Sequence, residues 1–214
     1  MPERQAILEG LTRIANDGAA FATAWHAVLT AVVVALLAGW RPSNRRAGRW
    51  LAVPLASVSV FAWGAHNPFN GTIFAVLALV LVGLAALGSA EPVTGSGRGV
   101  QAAGMALVAF GWVYPHFLVG RPWSDYAFAA PLGLIPCPTL SVVIGLSIVG
   151  RGLGNRAWCW ALAAAGVFYA VFGVARLGVW LDVPLLIGAV VLVMVGGLGA
   201  RRGARSNAEA ATAA

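Results

Sequence analysis

Apolar residues in this chain come in long runs, separated by short breaks rich in Arg, Gly, Pro and Ser. The runs cover 19–40, 50–66, 69–90, 99–118, 131–150, 157–175 and 178–200. A helix needs about 20 residues to cross a hydrocarbon core of about 30 Å. The pattern therefore predicts an all-α fold, a polytopic membrane helix bundle of about seven transmembrane helices. The period-two alternation of a membrane barrel is absent.

The ends read differently. In 1–18, Ile7, Leu8, Leu11, Ile14 and Ala15 fall on one helical face, with Glu3, Arg4, Glu9 and Arg13 elsewhere. This predicts an amphipathic helix, lying on the interface or solvated, that stops at Asn16-Asp17-Gly18. Its charged lead-in and the full-length run after it do not resemble a cleavable signal. The seven-span domain is expected over 19–200. Residues 201–214 are small and polar, and read as a disordered cytoplasmic tail.

Composition agrees. Of 214 residues, 60% are hydrophobic and 10% charged, and the mean hydropathy of +0.83 excludes an ordinary soluble domain. Every basic residue is arginine. With loops on alternate sides, ten arginines share one side: Arg41, Arg45, Arg46, Arg49, Arg98, Arg151, Arg156, Arg201, Arg202 and Arg205. Four remain opposite: Arg4, Arg13, Arg121 and Arg176. The positive-inside rule then predicts the N-terminus outside and the C-terminus inside. The net charge of +7 is this topological signal, so no nucleic-acid partner is expected. The expected partners are the bilayer and, near Arg41–Arg49, anionic lipid headgroups.

Orientation makes depth countable. His26, His66, His116, Cys137 and Asp182 come out roughly 21 to 28 Å above the inner arginines, all in the outer third. Arg121, Asp125 and Tyr126 lie in the loop above. Ionisable residues at membrane depth are functional candidates. Each has a bland alternative: interfacial placement for His66 and His116, a helix–helix hydrogen bond for His26, a clamp to Arg176 for Asp182.

The fifth run, PLGLIPCPTLSVVIGLSIVG, carries Pro136 and Pro138 around Cys137. Neither proline can donate to the helical carbonyls of Leu132 and Leu134. The run is thus expected to be a helix broken at Pro136/Pro138, with Thr139 and Ser141 helping to cap its inner half and the partly positive N-terminus of that half facing the outer layer. Such breaks serve as binding sites in transporters and as plain kinks elsewhere. Asn67-Pro68 marks a turn between the second and third runs, with Asn70 just beyond. Cys159, near the opposite face, is out of disulfide reach of Cys137.

HNPFNGTIFAVLAL (66–79), the Tyr-Pro of GWVYPHFL (111–118), GLIPCPT (133–139) and GVWLDVPLLIGAV (178–190) together resemble a bacterial family of uncharacterised multi-spanning membrane proteins, a domain of unknown function marked by a Pro-Cys-Pro-Thr motif. The resemblance implies a helix bundle in the cytoplasmic (inner) membrane and no particular activity. It implies motif roles for Asn67, Pro68, Tyr114, Pro115, Gly133, Pro136, Cys137, Pro138 and Thr139. One departure is Ser124, where the family pattern has a histidine two places before Tyr126.

Three functions are compatible with these residues. The first is a small outward-facing polar cavity formed by Pro136, Cys137, Pro138, Thr139, Tyr114, His116, His66, Asn67, Asn70 and Asp182, binding, sensing or passing a small solute or ion. The second is a metal-dependent intramembrane hydrolase with His26, His66 and His116 as ligands, Cys137 as a further N/S-type ligand for Zn or Cu, and Asp125 or Asp182 activating water. The third is a membrane scaffold, suited by the surplus of glycine and alanine. The expectation leans away from an enzyme.

Overall fold

The computed structural model describes the backbone of residues 3–212 and the side chains of residues 3–197. Helices account for the regular structure, and no strand is present among the described residues. The principal helices are α1 (Arg4–Asp17), α2 (Ala19–Leu37), α3 (Asn44–Gly64), α4 (Pro68–Ala86) and α5 (Arg98–Val113). They continue with the short α6 (Tyr126–Ala129), then α7 (Pro136–Val149), α8 (Arg156–Val171) and α9 (Val183–Thr212).

Four segments are long and apolar enough to cross a membrane: Ala19–Leu37, Pro68–Ala86, Arg156–Leu177 and Trp180–Gly197. This fits a membrane protein. The other three expected spans are helices too, but α3 opens with Arg45, Arg46 and Arg49, and α5 and α7 have only 16 and 14 residues. At about 1.5 Å per residue, α7 is about 21 Å long.

Local signals start the helices. Ser43 caps α3, its hydroxyl accepting from the Arg46 N–H, and Asn67 caps α4 by accepting from the Asn70 N–H. The α2 helix is peripheral. Its buried residues Ala19, Ala22, His26 and Leu29 form a single stripe, and the rest of its surface is largely exposed. By contrast α7 is buried nearly all round, as a helix apolar on every face must be. Leu140, Val143, Ile144 and Ile148 pack in one core with Leu55 of α3, Phe74 of α4, Leu107 of α5, Leu162 of α8 and Leu185 of α9.

Glycine lets α5 and α7 meet closely. A β-carbon at Gly104 would lie 2.8 Å from the Gly145 carbonyl oxygen, and one at Gly111 would lie 2.7 Å from that of Pro138. Small residues at contacts are how helices associate without a hydrophobic driving force between them.

The loops gather at two ends. At one, Val93 N–H donates to Pro42 O, Ser96 N–H to Val149 O and the Asn155 amide to Leu84 O. At the other, α1 buries Leu11, Ile14 and Ala15 against Phe117, Leu118, Leu134, Ile135, Leu177 and Val179. The apolar stripe read in 1–18 is thus covered by the bundle's own chain. The α9 backbone is helical to Thr212, through a segment rich in alanine and arginine, both strong helix formers.

Candidate functional site

The fifth run breaks at Pro136/Pro138, where the sequence suggested, but the break has one helical side and not two. Residues 131–135 form no helical outer half. They make a turn in which the Leu134 and Ile135 N–H groups both donate to Pro131 O, at 3.3 and 3.2 Å. The α7 helix begins at Pro136, with Ile135 as N-cap. Both prolines therefore sit in the first turn, where backbone N–H groups have no intrahelical partner anyway. No helical bond is lost at Leu132 or Leu134. The break is a helix start.

Thr139 fixes this start. Its hydroxyl accepts from the Gly133 N–H at 2.9 Å and donates to Ile135 O at 2.7 Å. Gly133 has φ +74°, and the Trp25 indole packs where its β-carbon would stand, so only glycine fits. Ser141 does not take the capping role expected of it. Its hydroxyl is buried without a hydrogen-bond partner among the described residues, one helical turn below Cys137.

Polar side chains from five elements meet around the head of α7. The Tyr114 hydroxyl, at the end of α5, donates to Asp182 Oδ1 at 2.7 Å. Asp182 closes a 3₁₀ turn (Trp180–Asp182) ahead of α9 and is 2% exposed. The Cys137 thiol lies beside its carboxyl and near the Tyr169 phenol of α8. The Tyr169 hydroxyl donates to Asn70 Oδ1 of α4 at 2.9 Å. The groups gathered here are Asn70, Tyr169, Cys137, Asp182 and Tyr114. Cys137 alone is partly exposed; the other four are buried.

Asp182 reaches this position because α8 ends in a π-helical turn, Phe172–Leu177, closed by Gly178 in the left-handed conformation. The turn sets Gly173 under the carboxylate, and Asp182 Oδ2 takes the space a β-carbon would need. Arg176, considered as a clamp for Asp182, lies on the exposed surface, while Asp182 is engaged by Tyr114.

Of the expected cavity residues, the fold thus joins Cys137, Tyr114, Asn70 and Asp182 and leaves others apart. Thr139, Pro136 and Pro138 shape the helix start. Asn67 caps α4. His66 is exposed in the α3–α4 turn with φ +57°. His116 is half-buried with its ring against Phe117, centroids 4.2 Å apart. Around the head of α7 polar groups pair with one another, Tyr114 with Asp182 and Tyr169 with Asn70. A groove of about 450 Å³ runs along α1, beside Glu9 and Arg13, and a cavity of about 290 Å³ lies at the opposite end of the bundle.

The metal set does not form. Among the described residues, no group of three His, Cys, Asp or Glu side chains could hold a metal ion. His26 has both ring nitrogens committed, Nδ1 facing Ala22 O at 2.8 Å and Nε2 facing Trp112 O at 3.0 Å. His26, His66, His116 and Cys137 therefore give no ligand set for Zn or Cu, and the histidine hydrolase loses its basis. Asp125 pairs with Arg121 at 3.5 Å in the loop before α6.

Tyr169 and Gly173 were missed. Tyr169 stands 13 residues beyond Arg156, roughly 20 Å along α8, so the depth count that found Cys137 would have found it. No sequence signal marked Gly173.

No protein family, curated protein or solved structure matches this chain. The class defined by fold and site is an all-α protein with four segments long and apolar enough to cross a membrane and a buried polar cluster at one end.

Proposed function

We propose that the chain crosses the cytoplasmic membrane seven times, with its N-terminus outside, and that the cluster around Cys137 and Asp182 binds, senses or passes a small polar solute or ion at the outer side. The arginine asymmetry and the gathering of loops into two ends support this orientation. The Pro-Cys-Pro-Thr resemblance supports the membrane and supplies no activity. Anionic headgroups at Arg41–Arg49 belong to the same reading.

One observation carries the site. In a largely apolar bundle, five polar side chains from five separate elements converge, one of them acidic. Polar groups at such depth are expensive, and ionisable ones mark solute and ion paths. The unpartnered Ser141 hydroxyl, a turn below on the same helix, offers a further contact for a small polar ligand. The α7 N-terminus faces this group and carries a partial positive charge.

A second reading, a scaffold for another membrane protein, draws on the glycine-lined contact of α5 with α7. Thiol accessibility separates the two. In intact cells, a small membrane-impermeant thiol reagent is expected to modify Cys137 and spare Cys159, which is buried with its thiol on Gly152 O at 3.7 Å. Asp182→Asn should change the Cys137 rate. Equal protection of both thiols, with no effect of Asp182→Asn, would sink the binding reading and leave the scaffold.

A further inference from the structure

At the end of the bundle remote from Cys137, the link between α7 and α8 winds left-handed. Arg151, Gly152, Leu153 and Gly154 have φ of 52°, 64°, 53° and 63° in succession. Glycine enters this region freely; arginine and leucine are strained there. The turn is held by Leu153 N–H to Gly150 O and Asn155 N–H to Gly152 O, and by the Asn155 amide on Leu84 O at 3.1 Å. Strained backbone held by its surroundings clusters at ligand clamps.

Here the turn borders the cavity of about 290 Å³, lined by Arg151, Arg156, Thr94, Asn155, Cys159 and Gly196 among others. Among the described residues, no acidic side chain lines it. Among the described residues, neither guanidinium has an ion pair or a hydrogen bond. The same end carries Arg41, Arg45, Arg46, Arg49 and Arg98, against Glu91 as the acidic residue of its loops. Two arginines lining one small cavity, in a positive field, leave a charge that a mobile anion relieves. The guanidinium fork matches phosphate oxygens in pairs, and the N-terminus of α8 adds partial positive charge. The volume sits near the roughly 300 Å³ lower bound of small-molecule sites, enough for a phosphate with a short polar stem.

We propose that this cavity holds a phosphate group through Arg151 and Arg156, supplied either by an anionic lipid headgroup or by free phosphate. The test uses the full chain. One arm titrates inorganic phosphate into protein in neutral detergent and follows binding by calorimetry. The other reconstitutes the protein in phosphatidylcholine nanodiscs doped with phosphatidylglycerol and counts retained lipid by native mass spectrometry. Binding in the first arm identifies the free ion; retention of phosphatidylglycerol without phosphate binding identifies the headgroup. Arg151→Gln with Arg156→Gln should weaken the positive arm by about tenfold, the scale of lost charge-assisted hydrogen bonds. Thr94→Phe, which fills the cavity from an exposed loop and keeps both charges, should do the same and carries the test where the double variant does not fold. Arg98→Gln, at the same end, exposed and outside the cavity, should change binding by less than about twofold. No binding in either arm, or an equal loss in the Arg98 control, overturns the proposal.

Discussion

Tyr114 and Asp182, 68 positions apart in sequence, meet with the phenol hydroxyl 2.7 Å from the carboxyl oxygen Oδ1. The other carboxyl oxygen occupies the space over Gly173 that a β-carbon would fill. One acidic side chain thus ties the end of α5 to the π turn of α8 and to the entry of α9. Cys137 adds the head of α7 to the same junction.

Removing the hydroxyl tests the pair. Tyr114→Phe leaves a buried acceptor without its donor, which costs about 1–2 kcal/mol at a site of this kind. Asp182→Asn should cost less, since the amide oxygen still accepts from Tyr114. Reversible unfolding in mixed micelles measures both. A Tyr114→Phe variant within about 0.5 kcal/mol of wild type would mean that the contact is incidental.

Gly173→Ala should be at least as damaging as Tyr114→Phe, because the new methyl and Asp182 Oδ2 claim the same space. The carboxyl must swing off Tyr114 or the π turn must rewind. The check is a combined variant. If Gly173→Ala acts by expelling Asp182, adding Tyr114→Phe costs little more, whereas independent sites would add.

How much of this was legible follows from the physics of each signal. Long apolar runs set the positions of the principal helices because hydrophobic length is read one segment at a time. Depth counted from the arginines brought Cys137 and Asp182 to one level, Tyr114 entered through the Tyr-Pro piece of the resemblance, and the same count applied equally to Tyr169, which carries no neighbouring motif to draw the eye. Rotation about the helix axis was not legible. His26 stood at the right height, but it faces the Ala22 and Trp112 carbonyls and not Cys137. The prolines fixed where α7 starts, while the turn ahead of them depends on Gly133 under Trp25, a contact between residues far apart in sequence.

The α5–α7 contact predicts a contrast among glycines. Gly104→Val and Gly145→Val push a side chain into facing backbone, at 2.8 Å from Gly145 O for the first. Each should lower stability by roughly 1–3 kcal/mol, the usual cost of overpacking. Gly83 of α4 has nothing within 4 Å of the added carbon, so Gly83→Ala should be neutral or stabilising by up to about 1 kcal/mol through helix propensity. Melting curves in one detergent rank the three, and a Gly83→Ala loss as large as that of Gly104→Val would contradict the packing account.

Thr139→Val keeps shape and removes the hydroxyl that bonds Gly133 N–H and Ile135 O. Loss of a cap costs about 1 kcal/mol, and here a buried N–H is also orphaned, so about 1–3 kcal/mol is expected. Thr139→Ser keeps both bonds and should recover most of that loss. If the serine variant is no better than valine, the methyl packing and not the hydroxyl holds the turn.

Orientation is open to direct measurement in a background of Cys137→Ser and Cys159→Ser. Ser124→Cys lies in the exposed loop before α6, at the end that carries α1; Ser89→Cys lies in the exposed α4–α5 loop among the arginines. If arginine density is held at the inner headgroups, an impermeant maleimide should label Ser124→Cys in intact cells. It should label Ser89→Cys only after permeabilisation. The mirror result would put the Tyr114–Asp182 junction on the cytoplasmic side. The outer-facing reading of the cluster would then fail while the packing described above stood unchanged, since burial and hydrogen bonding do not depend on which leaflet is which.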